Sequence, residues 1–213
     1  MMTLPRRWAY RNATPLRAVG LALLAGAALS RLHGADAAPF PQFLPDRDVE
    51  IRYTVTVPDQ PSHDYDLSFE ARSERLRIDD PSRGLWFLVD LRDASAAMVV
   101  PQMRIVVTEP DLANLAAIMQ SAKSAQFTPL GEATIAGLRC TRYQVLSNEA
   151  TGTVCLTRNG IALAVSGQDS HGSAQVVADS VTEASVPPDS LAPPPGFASV
   201  TLPRGAIAAL LGN

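Results

Sequence analysis

From Val49 onward, apolar and polar residues alternate along the chain. Val49, Ile51, Tyr53, Val55 and Val57 are separated by Glu50, Arg52, Thr54 and Thr56, a period of two that predicts a strand with one buried face. Tyr65, Leu67, Phe69 and Ala71 repeat the pattern, and Leu76 and Ile78 continue it between arginines. Leu85–Val89 (LWFLV) is apolar at every position, which predicts a strand covered on both faces. Asp90 ends that run. With Ala97–Val100 and Met103–Val107, residues 49–107 read as an antiparallel meander of about six strands.

The period changes once. Thr108-Glu109-Pro110-Asp111 has the spacing of a capping box, and Leu112, Leu115, Met119 and Ala122 recur at helical spacing behind it. Together these predict one main helix, to about Ala125, with its stripe against the sheet. Strands follow over Ala133–Ile135, Leu138–Leu146 and Gly152–Arg158. Asn159-Gly160 predicts a type I′ hairpin into Ile161–Ser166, and the polar loop GQDSHG leads to Ala174–Val181. A proline-rich stretch (VPPDSLAPPPGF) precedes a last strand near Ala198–Leu202. Residues 49–203 thus form one β-rich domain. Residues 38–48 (APFPQFLPDRD) are an extended proline-rich lead-in, and residues 204–213 are a short tail, apolar over 206–211 (AIAALL).

The amino terminus reads differently. Arg6, Arg7, Arg11 and Arg17 precede the uncharged stretch Ala18–Ser30, then Arg31 and the small-residue site Ala35-Asp36-Ala37. This is the layout of a secretory signal peptide, with cleavage after Ala37. The apolar stretch falls short of the roughly 20 residues a membrane span needs. Arg6-Arg7 also hints at twin-arginine export, although paired arginines are common in such leaders. Export implies a periplasmic or secreted domain.

Removing residues 1–37 takes five arginines and one aspartate from 18 basic and 21 acidic side chains, leaving 13 and 20, a net charge of −7. Lys123 is the one lysine. That balance excludes an electrostatic nucleic-acid binder, and the mature chain has no transmembrane segment. Cys140 and Cys155 lie symmetrically about a turn near Ser147-Asn148, so an oxidising compartment would join them across a hairpin. They lack the C-x-x-C spacing and cationic neighbours of a redox centre.

Candidate chemistry is sparse. His63 and His171, each in an expected loop, do not make a three-histidine metal site. Asp169-Ser170-His171 holds three triad residue types, but as sequence neighbours without a G-x-S-x-G elbow they read as a polar loop. Asp79-Asp80 is a possible acid–base pair, more simply a strand ending at a solvated turn. Arg72, Arg75 and Arg77 are balanced by Glu70, Glu74, Asp79 and Asp80 and read as a wet face. No catalytic residue, metal or cofactor is therefore expected, and the chain reads as non-enzymatic.

Gly137-Leu-Arg-Cys140-Thr-Arg-Tyr143, Thr153-Val-Cys155-Leu-Thr-Arg-Asn159-Gly160-Ile161 and Pro195-Gly196-Phe197 together resemble exported bacterial proteins of the LolA-like superfamily, which includes periplasmic lipoprotein carriers. The resemblance spans roughly Val49–Pro203. It implies an α+β, mainly β fold: a curved antiparallel sheet, an incomplete β-barrel, around one main helix and short helical turns, with an apolar cavity. The carriers proper lack this cysteine arrangement as a defining motif, and their cargo contacts have no residue-by-residue match here. On this reading Trp86 and Leu88 share one face and Phe87 and Val89 the other, one set packing the core and the other lining a cavity with Met98, Val100 and Met103. Flexible methionines suit varied acyl chains, and the candidate lining is Trp86, Leu88, Met98, Val100 and Met103; the alternative is that all five are ordinary core. Three functions stay open: a periplasmic binder of a lipid, acyl chain or lipoprotein; an envelope structural or protein-interaction module without a ligand; and, last, an exported enzyme.

Overall fold

The computed structural model describes residues 40–108, 125–146, 151–169 and 172–207. The chain divides into two units, Met1–Ala37 and Ala38–Asn213, and the described residues all belong to the second. They form twelve strands: β1 Val49–Thr56, β2 His63–Glu70, β3 Arg75–Asp80, β4 Leu85–Asp90, β5 Ser95–Val100, β6 Ile105–Thr108, β7 Gln126–Ile135, β8 Leu138–Leu146, β9 Thr151–Leu156, β10 Ala162–Asp169, β11 Gly172–Glu183 and β12 Ala198–Thr201.

All twelve belong to one open, curved sheet in the order β12-β6-β5-β4-β3-β2-β1-β11-β10-β9-β8-β7. Two antiparallel meanders, β1–β6 and β7–β11, are joined where β1 pairs with β11 from Val49↔Glu183 to Thr56↔Gln175. A purely antiparallel sheet was expected, but β12 lies parallel to β6, with Ala198 opposite Ile105 and Thr201 opposite Thr108. A hairpin can only reverse the chain, whereas the crossing segment 184–197 carries it from mid-sheet to the far edge and admits the parallel direction. The expected helix falls on residues 109–124, outside the described residues, which otherwise contain short 3-10 turns at Pro101–Met103 and Pro188–Leu191.

The first meander turns by a repeated device. Four-residue connections end at Glu74, Gly84 and Ala94, all at positive φ. At two of them the strand's last aspartate caps the turn: Asp80 accepts from the Arg83 amide, and Asp90 from the amides of Arg92 and Asp93. These short side chains bond backbone a few positions on, as turn-forming aspartates do. Asp79-Asp80 therefore does not end in water. Asp80 is 2% exposed and holds the Ser82 hydroxyl and, at 2.8 Å, the Arg83 guanidinium. Burial alone would raise its carboxyl, but the Ser82 and Arg83 bonds hold it below its ordinary value of 3.8.

Two turns differ from expectation. Asn159 does not take positive φ, so Thr157–Gly160 is not type I′; the Gly160 amide donates to the Thr157 carbonyl and only Gly160 is left-handed, at φ +83°. Glycine is required there, because a Cβ would lie 2.1 Å from the Leu44 carbonyl oxygen. The type I′ geometry occurs two hairpins earlier, at Ala136 (φ 49°) and Gly137 (φ 75°), between β7 and β8. His63 opens β2 rather than lying in a loop, and β7 extends well before Ala133.

One sheet face carries the main core. Val49, Ile51, Tyr53, Phe69, Leu76 and Val89 pack there with Leu163 and Ala178, the inward set of the alternation read from the sequence. Tyr53 donates its hydroxyl to the Ala162 carbonyl at 2.7 Å, and burial pushes the phenol far above its ordinary value of 10.0. Cys140 and Cys155 are bonded, with Cα atoms 5.4 Å apart. In the ladder Cys155 stands opposite Arg142, so the pair is diagonal rather than directly opposed.

Candidate functional site

The five residues read as a cavity lining do not come together. Phe87 pairs with Met98 and Val100 with Ile105, which places Met98 and Val100 on the core face with Leu85, Val107 and Ile207. Trp86 and Leu88 lie on the opposite, outer face with Ala97, Val99, Val106 and Phe197. Met103 is in the 3-10 turn and 67% exposed. The alternation along β4 was legible, but the β4–β5 register was not, and register decides which methionine shares a side with the tryptophan. Leu85–Val89 is nevertheless covered on both faces, as its unbroken apolar run required.

The outer cover is the crossing segment. Leu191 is buried and Phe197 packs into the Trp86 cluster. Arg77 lies 4.1 Å from the Trp86 ring centroid, is salt-bridged to Asp79 at 2.6 Å, and donates to the Ser190 carbonyl at 3.5 Å. Arg77 is thus not simply part of a wet face; its guanidinium caps an aromatic ring. The indole Nε1 of Trp86 is buried without a hydrogen-bond partner among the described residues.

A different part of the core face is open. Val55 faces Val176, Val176 faces Val165, Val165 faces Val154, and Val154 faces Tyr143. Directly paired residues share a side, so these form one apolar row across β1, β11, β10, β9 and β8. Their burial stops short of the main core: Val165 is 39% exposed, against 0% for Leu163 two positions earlier. At the β7 end the row meets an aromatic group from the lead-in. Phe40 lies 5.1 Å from Phe127 and 5.5 Å from Phe43, and Phe127 lies 6.0 Å from Tyr143, all edge to face. Phe40 is 49% exposed. The row was hidden in the sequence, because its members come from five strands whose registers no local pattern reveals. Within β9 and β10 it shows only as an apolar residue beside a polar one, as at Thr153-Val154 and Val165-Ser166.

The opposite side of the same strands has a shallow groove of about 600 Å³, lined by uncharged residues, among them Gln144, Thr153, Ser166 and Gln175 together with Pro58, Ala174 and two glycines. No group of three metal-ligating side chains occurs among the described residues, and no helix among them is long and apolar enough to cross a membrane.

No protein-family model matches the chain, and no curated protein matches it. Similar folds are found among solved structures. An uncharacterized conserved protein from Thermus thermophilus is 10% identical, with a TM-score of 0.52 over 74% of this chain and 91% of that one. The MucA/MucB complex of Pseudomonas aeruginosa contains a chain 13% identical with a TM-score of 0.49; 73% of this chain is covered, and it spans 58% of that one. A putative outer membrane lipoprotein-sorting protein domain from Vibrio parahaemolyticus is 10% identical at a TM-score of 0.38 over 70% of this chain and 91% of its own. At these identities the likeness is one of fold alone.

Proposed function

We propose that this chain is an exported, non-enzymatic envelope protein that holds an apolar ligand, a lipid acyl chain or the acylated end of a lipoprotein, against the core face of β8–β11. The carrying observation is the open row Val55, Val176, Val165, Val154 and Tyr143, continued by Phe127 and Phe40. Covering such a row with an acyl chain would remove apolar surface from water at about 25 cal/mol per Å². No buried charge has to be matched there, and the edge-to-face aromatics give a deformable end wall. The leader reading supports export, and the disulfide fits an oxidising compartment.

The reading is tested with a neutral naphthylamine dye whose fluorescence rises in apolar surroundings. Residues 38–213 should give saturable enhancement, lysophospholipid should displace the dye, and Val165→Asp should remove the response while the fold survives. Enhancement that is absent, or unchanged in Val165→Asp, overturns the proposal.

A further inference from the structure

The outer side of the same strands is built differently. Thr56 faces Gln175, Gln175 faces Ser166, Ser166 faces Thr153, and Thr153 faces Gln144. This row alternates in register with the valine row and so points to the opposite side of the sheet. Five strands at about 4.8 Å spacing give it a length of about 19 Å. Alongside it, Gln168 stands opposite both Thr151 and Ser173. The groove between these rows has backbone as its floor at the paired glycines Gly152 and Gly167. A Cβ on Gly152 would lie 2.3 Å from the Ser166 carbonyl oxygen, so no larger residue fits between the strands there.

Every described residue lining the groove is uncharged. Elsewhere the same sheet side is densely ionic, with Arg52–Asp66 and Arg75–Asp90 each at 2.8 Å and Arg77–Asp79 at 2.6 Å. The lining instead offers carboxamides and hydroxyls, each able to donate and to accept. Thr153 and Ser166 share one bond at 2.8 Å, and Thr56 pairs with Ser62 at 3.0 Å. Among the described residues the amides of Gln144, Gln168 and Gln175 have no protein partner. An ionic ligand would find no counter-charge in this groove. An apolar one would strand the amides, at a cost for each group left unpaired. A neutral polyhydroxylated chain satisfies them, because each of its hydroxyls also donates and accepts.

We infer that this groove is a binding site for a neutral oligosaccharide, lying across the ends of β1, β11, β10, β9 and β8 and separate from the apolar face. The probes are cellotetraose and chitotetraose, titrated into residues 38–213 while the glutamine side-chain amide signals are followed by NMR. The expected result is a saturable shift of the Gln144 and Gln175 amides with at least one of them. Gln175→Ala should then loosen binding about fivefold, the worth of one net hydrogen bond, with an unchanged unfolding midpoint. Absence of a saturable shift with either sugar overturns the inference. So does binding that survives the double variant Gln144→Ala/Gln175→Ala, or an uncharged Gly-Ser peptide that binds as well as the sugars. Dye binding at Val165 is read separately, so either site can fail without the other.

Discussion

Leu163 and Val165 lie two positions apart on β10 and should respond very differently to truncation. Leu163 is fully buried in the main core, whereas Val165 is 39% exposed. Leu163→Ala removes packed methyl groups and leaves a cavity, which costs about 2–5 kcal/mol. Val165 has already left much of its surface in water. Full burial of a valine is worth about 1.5 kcal/mol at the low end of the range, and Ala retains part of it. Val165→Ala should therefore cost well under about 1 kcal/mol. In residues 38–213 Trp86 is the only tryptophan, so urea unfolding followed by its fluorescence reads both variants with one probe. The two midpoints should separate clearly at an unchanged slope, the sign that stability and not compactness has moved. Equal losses would show that the valine row is packed as tightly as the core. The open apolar surface, and the ligand proposed for it, would then be wrong.

Other consequences are as specific. Cys140→Ser/Cys155→Ser should lower stability by about 3 kcal/mol, the chain-entropy value for a loop of this length, and reductant should move the wild-type midpoint but not the variant's. Asp80 and Asp90 both titrate below 3.8 in the folded chain. Their contribution is complete above that value and is lost as pH falls through the lowered range, so Asp80→Asn should flatten the acid limb of a stability–pH curve. At neutral pH the same change should cost about 1–3 kcal/mol, because a buried charge-assisted network is broken. Arg77→Ala should expose the Trp86 ring, seen as a red-shifted emission and faster acrylamide quenching, with a loss of about 1 kcal/mol; unchanged emission would mean that the crossing segment alone shields the indole.

Much of the sheet was legible because its strands alternate cleanly. The period at Val49–Val57 and the two-sided run at Leu85–Val89 depend on local sequence and were read from it, and Leu138–Leu146 was placed by the symmetry of the two cysteines about a turn. The parallel β12 was not, since its direction follows from where a proline-rich crossing lands. Asp80 looked like a surface residue because a capping aspartate and a solvated one have the same neighbours in sequence. The candidate lining failed for one reason, register: Met98 sits opposite Phe87, so the sheet stands between it and Trp86. Register also hid the two rows that matter most, valines on one side and Gln, Thr and Ser on the other. Each is assembled one residue per strand, and of these strands only β1 shows a sustained alternation of its own.

Native mass spectrometry of residues 38–213, purified from a periplasm without detergent and compared with Val165→Asp, bears most directly on what the open face is for. A lipophile recurring at near one per chain, extractable with solvent and missing from the variant, is the predicted result. A bare polypeptide mass from both proteins would contradict it.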